Sequence, residues 1–201
     1  VFNQGGSASA NGQIEILKDG PMPCVGAMEW LTECSNRTWS LAPQAGALWV
    51  GPDGKTTWWA IPATGPTDRP CLFNDEWIFS EDGTMEYDAN GDVYAETYMG
   101  VAAEGCTPET NLTYPHDAWA SGIHSFEIIP GNGPLPDQLK VNGLGAFIGI
   151  PKAANGGEVS SPVTSVTYDI LSMTDVAGDR YMEIECDFGG GLWRFTLYSQ
   201  S

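Results

Sequence analysis

The chain has 201 residues, 42% of them apolar, and its 26 acidic residues against 8 basic ones give a formal charge of −18. Such an apolar fraction excludes a disordered chain, and no apolar run reaches the roughly 20 residues that a membrane-crossing helix needs. The negative field repels phosphate backbones and anionic lipid, so neither nucleic acid nor direct membrane insertion is expected.

In chain order, the sequence opens at Val1 with no initiator Met and no signal pattern, as expected of part of a longer product. Residues 1–12 are small, polar and Gly-rich and predict a flexible linker. A single domain is expected over residues 13–201. Short strands are predicted at 13–18, 38–41 and 57–61, and only residues 27–34 (AMEWLTEC) look helical. From residue 75 a period of two dominates. Trp77 and Phe79 share one face of 75–80, Asp82-Gly83 turns the chain into 84–88, and Asn90-Gly91 turns it into 92–98. Asp-Gly and Asn-Gly between alternating runs are strong hairpin signals, so 75–98 predicts a three-stranded meander. Residues 123–129 alternate again. Runs 138–141 and 144–150 flank Asn142-Gly143 as another hairpin, and 164–171, 181–188 and 192–198 complete the set. About 10–12 antiparallel strands predict an all-β fold: a two-sheet, jelly-roll-like β-sandwich, with a closed β-barrel as the alternative. Long loops fall at 42–56, 62–74, 99–122 and 151–162, a length that in a compact domain marks functional or disordered segments.

Five cysteines lie at positions 24, 34, 71, 106 and 186, with no zinc-ribbon or Cys-x-x-Cys spacing. Cys186 shares an alternating strand face with Met182, Ile184 and Phe188, which predicts a buried free thiol. The other four sit in Gly/Pro-rich loops and allow three pairings; Cys24–Cys34 and Cys71–Cys106 are favoured because each closes a local loop. Two disulfides imply an oxidising compartment.

Several stretches together resemble one family: LTECSNRTWSL (31–41), Gly51-Pro52, Trp58-Trp59, FNDEWIFSEDGTMEYDANGDVY (73–94), VNGLGAFIGIPKAANGGE (141–158) and the ending from Tyr168 to Leu197. That family is a module of secreted and surface lipoproteins of glycan-degrading Bacteroidetes, found with PKD-type domains and family 16 glycoside hydrolases. The resemblance spans roughly residues 27–198. It implies an extracellular or outer-surface β-domain in polysaccharide utilisation, with a β-glucan such as laminarin as the implied polymer. It carries no set of functional residues.

Eight tryptophans are the strongest chemical signal, because sugar rings stack their C–H faces on flat indoles. Trp39, Trp77 and Trp193 fall on apolar strand faces and are expected in the core. Trp58 and Trp59 are adjacent, so on a strand they point to opposite faces and one of them is left for a ligand. The glycan-binding candidates are therefore Trp49, Trp58, Trp59 and Trp119, with His116, Lys152 and Asn155 as hydrogen-bonding partners. His124 shares a face with Phe126 and Ile128 and is expected at the core or its edge. No cofactor is expected. A structural calcium could use Asp88, Asn90 and Asp92, whose oxygens are suitably spaced, although Asn-Gly already explains that turn. Glu183 and Glu185 share a strand face at the separation a retaining glycosidase needs, but among 26 acids a solvated face is the plainer reading. No nucleophile elbow or zinc-protease motif is present. Non-catalytic glycan binding is thus the expected function. A structural adhesin or self-assembling filament subunit and a divergent glycoside hydrolase using Glu183 and Glu185 are the alternatives.

Overall fold

The computed structural model describes residues 23–200; the linker expected at 1–12 and the strand expected at 13–18 lie outside them. The strands are β1 (Asn36–Leu41), β2 (Leu48–Gly51), β3 (Trp59–Ala60), β4 (Glu76–Ser80), β5 (Thr84–Asp88), β6 (Asp92–Ala95) and β7 (Gly105–Pro108). They continue with β8 (Gly122–Ile129), β9 (Gln138–Asn142), β10 (Ala153–Ala154), β11 (Gly157–Glu158), β12 (Ser165–Val176), β13 (Asp179–Asp187) and β14 (Leu192–Ser199). Three short helices, α1 (Ala27–Thr32), α2 (Gly65–Asp68) and α3 (Pro70–Phe73), accompany them.

Strands β1, β4, β5, β8, β9, β12, β13 and β14 pair in that order, each antiparallel to the next, and β14 pairs back onto β1. The all-β fold is therefore an up-and-down barrel of eight strands, and the sheet closes instead of splitting into two layers. Alternation could not decide between the two, because a barrel and a sandwich both bury every second side chain. β2 lies on the same edge of β14 as β1, further along it, and β3 adds outside β2.

An eight-stranded barrel is just wide enough for its own side chains to fill. Trp39, Trp77, Phe79, Tyr168 and Phe195 point inward and are fully buried. Trp77 stacks on Tyr87 with ring centroids 5.7 Å apart, and Phe79 meets Phe126 edge-on at 5.0 Å. Such pairs add about 0.5–1.5 kcal/mol each beyond the area they bury.

Residues 144–150 are not the strand that alternation suggested; they plug one end of the barrel. Gly143, Gly145 and Gly149 all have positive φ, which breaks strand geometry, and the consecutive run Ala146, Phe147 and Ile148 is wholly buried. The plug's backbone is bonded from the barrel wall. Trp77 Nε1–H donates to Phe147 O at 2.9 Å, and the Tyr168 hydroxyl accepts from Ile148 N–H at 2.8 Å. A Cβ on Gly149 would lie 2.2 Å from Phe195, so only glycine lets the plug seat.

The expected meander also breaks at Asn90-Gly91. β5 pairs with β8, while β6 leaves the barrel to pair with β7. The turn is pinned elsewhere: Asn90 Nδ2 donates to Asn74 O at 2.7 Å, and Asn74 Nδ2 donates to Asp92 Oδ1 at 3.0 Å.

Up-and-down order sends the connections after β1, β5, β9 and β13 to one end. The four loops that the sequence marked as long, 42–56, 62–74, 99–122 and 151–162, belong to the first three of these connections. The opposite end carries the short β4–β5 and β12–β13 turns. It is closed by α1, whose Leu31 carbonyl accepts from Trp39 Nε1–H at 2.9 Å.

Both favoured disulfides are present: Cys24–Cys34 ties the α1 end, and Cys71–Cys106 ties α3 to β7. Cys186 is free and buried, and burial pushes its thiol up to about 12. No helix among the described residues is long and apolar enough to cross a membrane.

Candidate functional site

At the plugged end a cleft of about 300 Å³ opens between β2–β3, α3, β6 and the segment that follows the plug. Its floor is apolar, formed by Leu48, Val50, Leu72 and Ile150. Trp59 stands at its side with 38% of its surface exposed. Tyr94, Tyr98 and Trp193 complete an aromatic lining.

Charged groups are distributed over these rings. The Arg69 guanidinium lies 4.3 Å from the Tyr94 ring centroid and 5.4 Å from that of Trp59. Lys152 sits 5.5 Å from the Trp193 ring and pairs with Glu96 at 3.1 Å. Trp193 Nε1–H donates to Glu158 at 2.8 Å, and the Tyr94 hydroxyl donates to Glu104 at 2.6 Å. Burial, then the bond to Glu104, pushes the Tyr94 phenol up to about 12. The Tyr98 hydroxyl is buried with no hydrogen-bond partner among the described residues, and burial and the neighbouring Glu96 carboxylate raise its pKa.

Behind the cleft, a void of about 20 Å³ is bordered by Asp75, Tyr87 and Trp119. Asp75 is 3% exposed and accepts from the Tyr87 hydroxyl at 3.0 Å. Burial holds its carboxyl well above the usual range.

The structure sorts the sequence candidates. Trp59 and Lys152 line the cleft. Trp58 is 56% exposed and, pointing the opposite way from Trp59, stands beside Gly191 and Phe188. Trp49 is half-buried on the barrel's outer wall beneath Arg194, and its Nε1–H donates to Thr57 at 2.8 Å. Trp119, expected at the surface, is instead 1% exposed and belongs to the core. His116 stacks over it at 5.4 Å and bonds the Ser160 carbonyl, so it covers that indole and is not presented to a ligand. Asn155 is also committed: its amide bridges both backbone groups of Thr167, which clamps the β10–β11 turn to β12. Among the indoles expected in the core, Trp39 and Trp77 are fully buried and Trp193 is 5% exposed.

Asp88 Oδ1 accepts from Asn90 N–H within its own turn, and Asp92 Oδ1 is bonded by Asn74, so these oxygens serve the turn described above. One Asp92 oxygen also lies near the Cys71 and Cys106 sulfurs, but a disulfide offers no thiolate to a metal. Glu183 and Glu185 lie on the outer wall, away from the cleft. Arg194 reaches both, at 3.6 Å from Glu183 and with its Nε 2.9 Å from Glu185. His124 is half-buried, and burial lowers its pKa.

A larger, open depression of about 670 Å³ lies toward the α1 end. Its arginines are already engaged: Arg37 bonds Glu33, Ser199 and Gln200, and Arg180 bonds the Trp30 carbonyl. Tyr198 is its single aromatic, so it offers little apolar surface to a ligand.

Tyr94, Tyr98, Glu96 and Arg69 were missed as site residues. A signal existed for three of them, because Tyr94, Glu96 and Tyr98 alternate along 92–98 and would form an aromatic–acid–aromatic stripe. Arg69, in a predicted loop, had none. The chain matches no protein-family model, no curated protein and no solved structure.

Proposed function

We propose that the protein binds a neutral, hydroxyl-rich glycan non-catalytically in the cleft at the plugged end, with Trp59 as the stacking platform. The observation that carries this reading is the exposed Trp59 indole at an apolar cleft ringed by Arg69, Glu96 and Lys152. An indole face matches the C–H face of a pyranose, and the surrounding charged groups match its hydroxyls. The two disulfides suit an oxidising, extracellular setting. The resemblance to surface modules of polysaccharide-utilising Bacteroidetes points to the same polymer class, β-glucans included.

Titration calorimetry against laminarin and a panel of other neutral polysaccharides, with wild type and Trp59→Ala, tests the reading. A central stacking residue contributes about 2 kcal/mol or more, so the variant should bind roughly 30-fold more weakly. Equal affinity in both proteins, or no binding in wild type, would refute it.

A structural role, as an adhesin or filament subunit, is the second reading. The β12–β13 hairpin runs past the end of β9, where Leu171, Met173 and Val176 are exposed. Exposed apolar strand edges pair with other chains. Size-exclusion chromatography with light scattering at rising concentration would detect such assembly, and a constant monomer mass would dismiss it.

A further inference from the structure

Most cations with a described side chain are spent on hydrogen bonds. Arg37, Arg180, Arg194, Lys140 and Lys152 each donate one or more to a carboxylate or carbonyl. Arg69 differs. Among the described residues its guanidinium makes no hydrogen bond; its contacts are a 3.8 Å approach to Glu104 and the faces of Tyr94 and Trp59. Two aromatic faces thus fix the plane of a planar fork whose N–H donors are unused, beside the one exposed indole of the cleft.

We infer that Arg69 is the specificity-determining residue of the cleft, donating two parallel N–H bonds to a vicinal pair of sugar hydroxyls while the glycan packs against the part of the Trp59 indole that Arg69 leaves exposed. The inference rests on the glycan-binding reading and narrows its ligand class. A guanidinium matches two adjacent oxygens in one plane, which a lysine ammonium cannot do. A uronate carboxylate also offers two adjacent acceptor oxygens to such a fork. However, Glu104 lies 3.8 Å from the fork, Glu96 lines the same cleft and the chain carries −18, so the neutral diol is favoured. Rings linked 1,4 keep a free 2,3-diol on every unit. Rings linked 1,3 offer a vicinal pair only at the two ends of the chain, so a 1,3-glucan would be held by its tips.

The test compares cellohexaose, mannohexaose, laminarihexaose and a galacturonate hexamer on wild type, Arg69→Lys and Arg69→Ala, with thermal melts confirming folding. Wild type should bind one of the 1,4-linked neutral hexamers more tightly than laminarihexaose and leave the uronate unbound. Arg69→Lys should lose about tenfold in affinity for the preferred hexamer, and Arg69→Ala more, as expected for charge-assisted bonds. Unchanged affinity in Arg69→Lys, with Trp59→Ala still impaired, would overturn the inference and leave the broader reading standing. Binding of the uronate, which carries the same 2,3-diols, more tightly than of the neutral hexamers would assign the fork to a carboxylate and overturn it too. A wild type that binds none of these probes would remove both.

Discussion

Replacing Cys71 and Cys106 together by alanine probes how the cleft is held. The disulfide closes a loop of 35 residues, and Cys71 is 1% exposed. The chain-entropy relation gives about 2.1 + 1.5R ln 35 ≈ 13 cal/mol/K for that loop, or about 4 kcal/mol at room temperature. For a chain of this size each kcal/mol moves the midpoint by about 2–4 °C, so the double variant should melt about 8–16 °C lower. The same bond joins the two walls of the cleft, because α3 follows directly on Arg69, and Cys106 is the register partner of Tyr94. Glycan affinity measured well below the melting point should therefore fall as well. Replacing Cys24 and Cys34 is the control. Its loop of 10 residues is worth about 2.7 kcal/mol, and it lies at the far end, so melting should drop less and affinity should hold. A 71–106 variant that melts within 2–3 °C of wild type, or a 24–34 variant that alone loses binding, would contradict this role for the bond.

Two further expectations concern the interior behind the cleft. Asp75 keeps its proton in the folded chain well above 3.8, the value that describes it when exposed. Its contribution to stability is therefore complete below that value and is lost as pH rises through the raised folded pKa. Unfolding free energies from urea titrations at pH 4 to 8 should decline for wild type relative to Asp75→Asn by up to about 1.4 kcal/mol per pH unit, and parallel curves would contradict the assignment. Gly149→Ala forces a side chain onto a residue with φ 83° and places Cβ 2.2 Å from Phe195. A cost of about 2–5 kcal/mol in denaturant unfolding is expected, and a change below about 0.5 kcal/mol would mean that the plug is not seated as described.

Much of the barrel wall was legible because inward and outward residues alternate along β4, β5, β9, β14, the first half of β12 and the second half of β13, so Trp77, Phe79, Cys186 and Trp193 could be assigned inside. The disulfides were legible because each joins cysteines in neighbouring loops. The plug was misread because its apolar content matched a strand, and Gly145 and Gly149, whose positive φ bends it, fell inside that expected strand. Trp119 was misread for a related reason: loop position suggested exposure, but this loop folds back over the barrel mouth and seals its indole beneath His116.

The amino-acid order by itself determined the all-β class and most strand faces, which depend on residues near one another along the chain, and it favoured the cysteine pairs among three pairings. Closure of the sheet, the side on which Trp59 rather than Trp119 meets solvent, and the meeting of Arg69 with Tyr94 depend on contacts between distant segments. Only the folded barrel decides these, because antiparallel order sends the long connections to one end, and their side chains become neighbours only there.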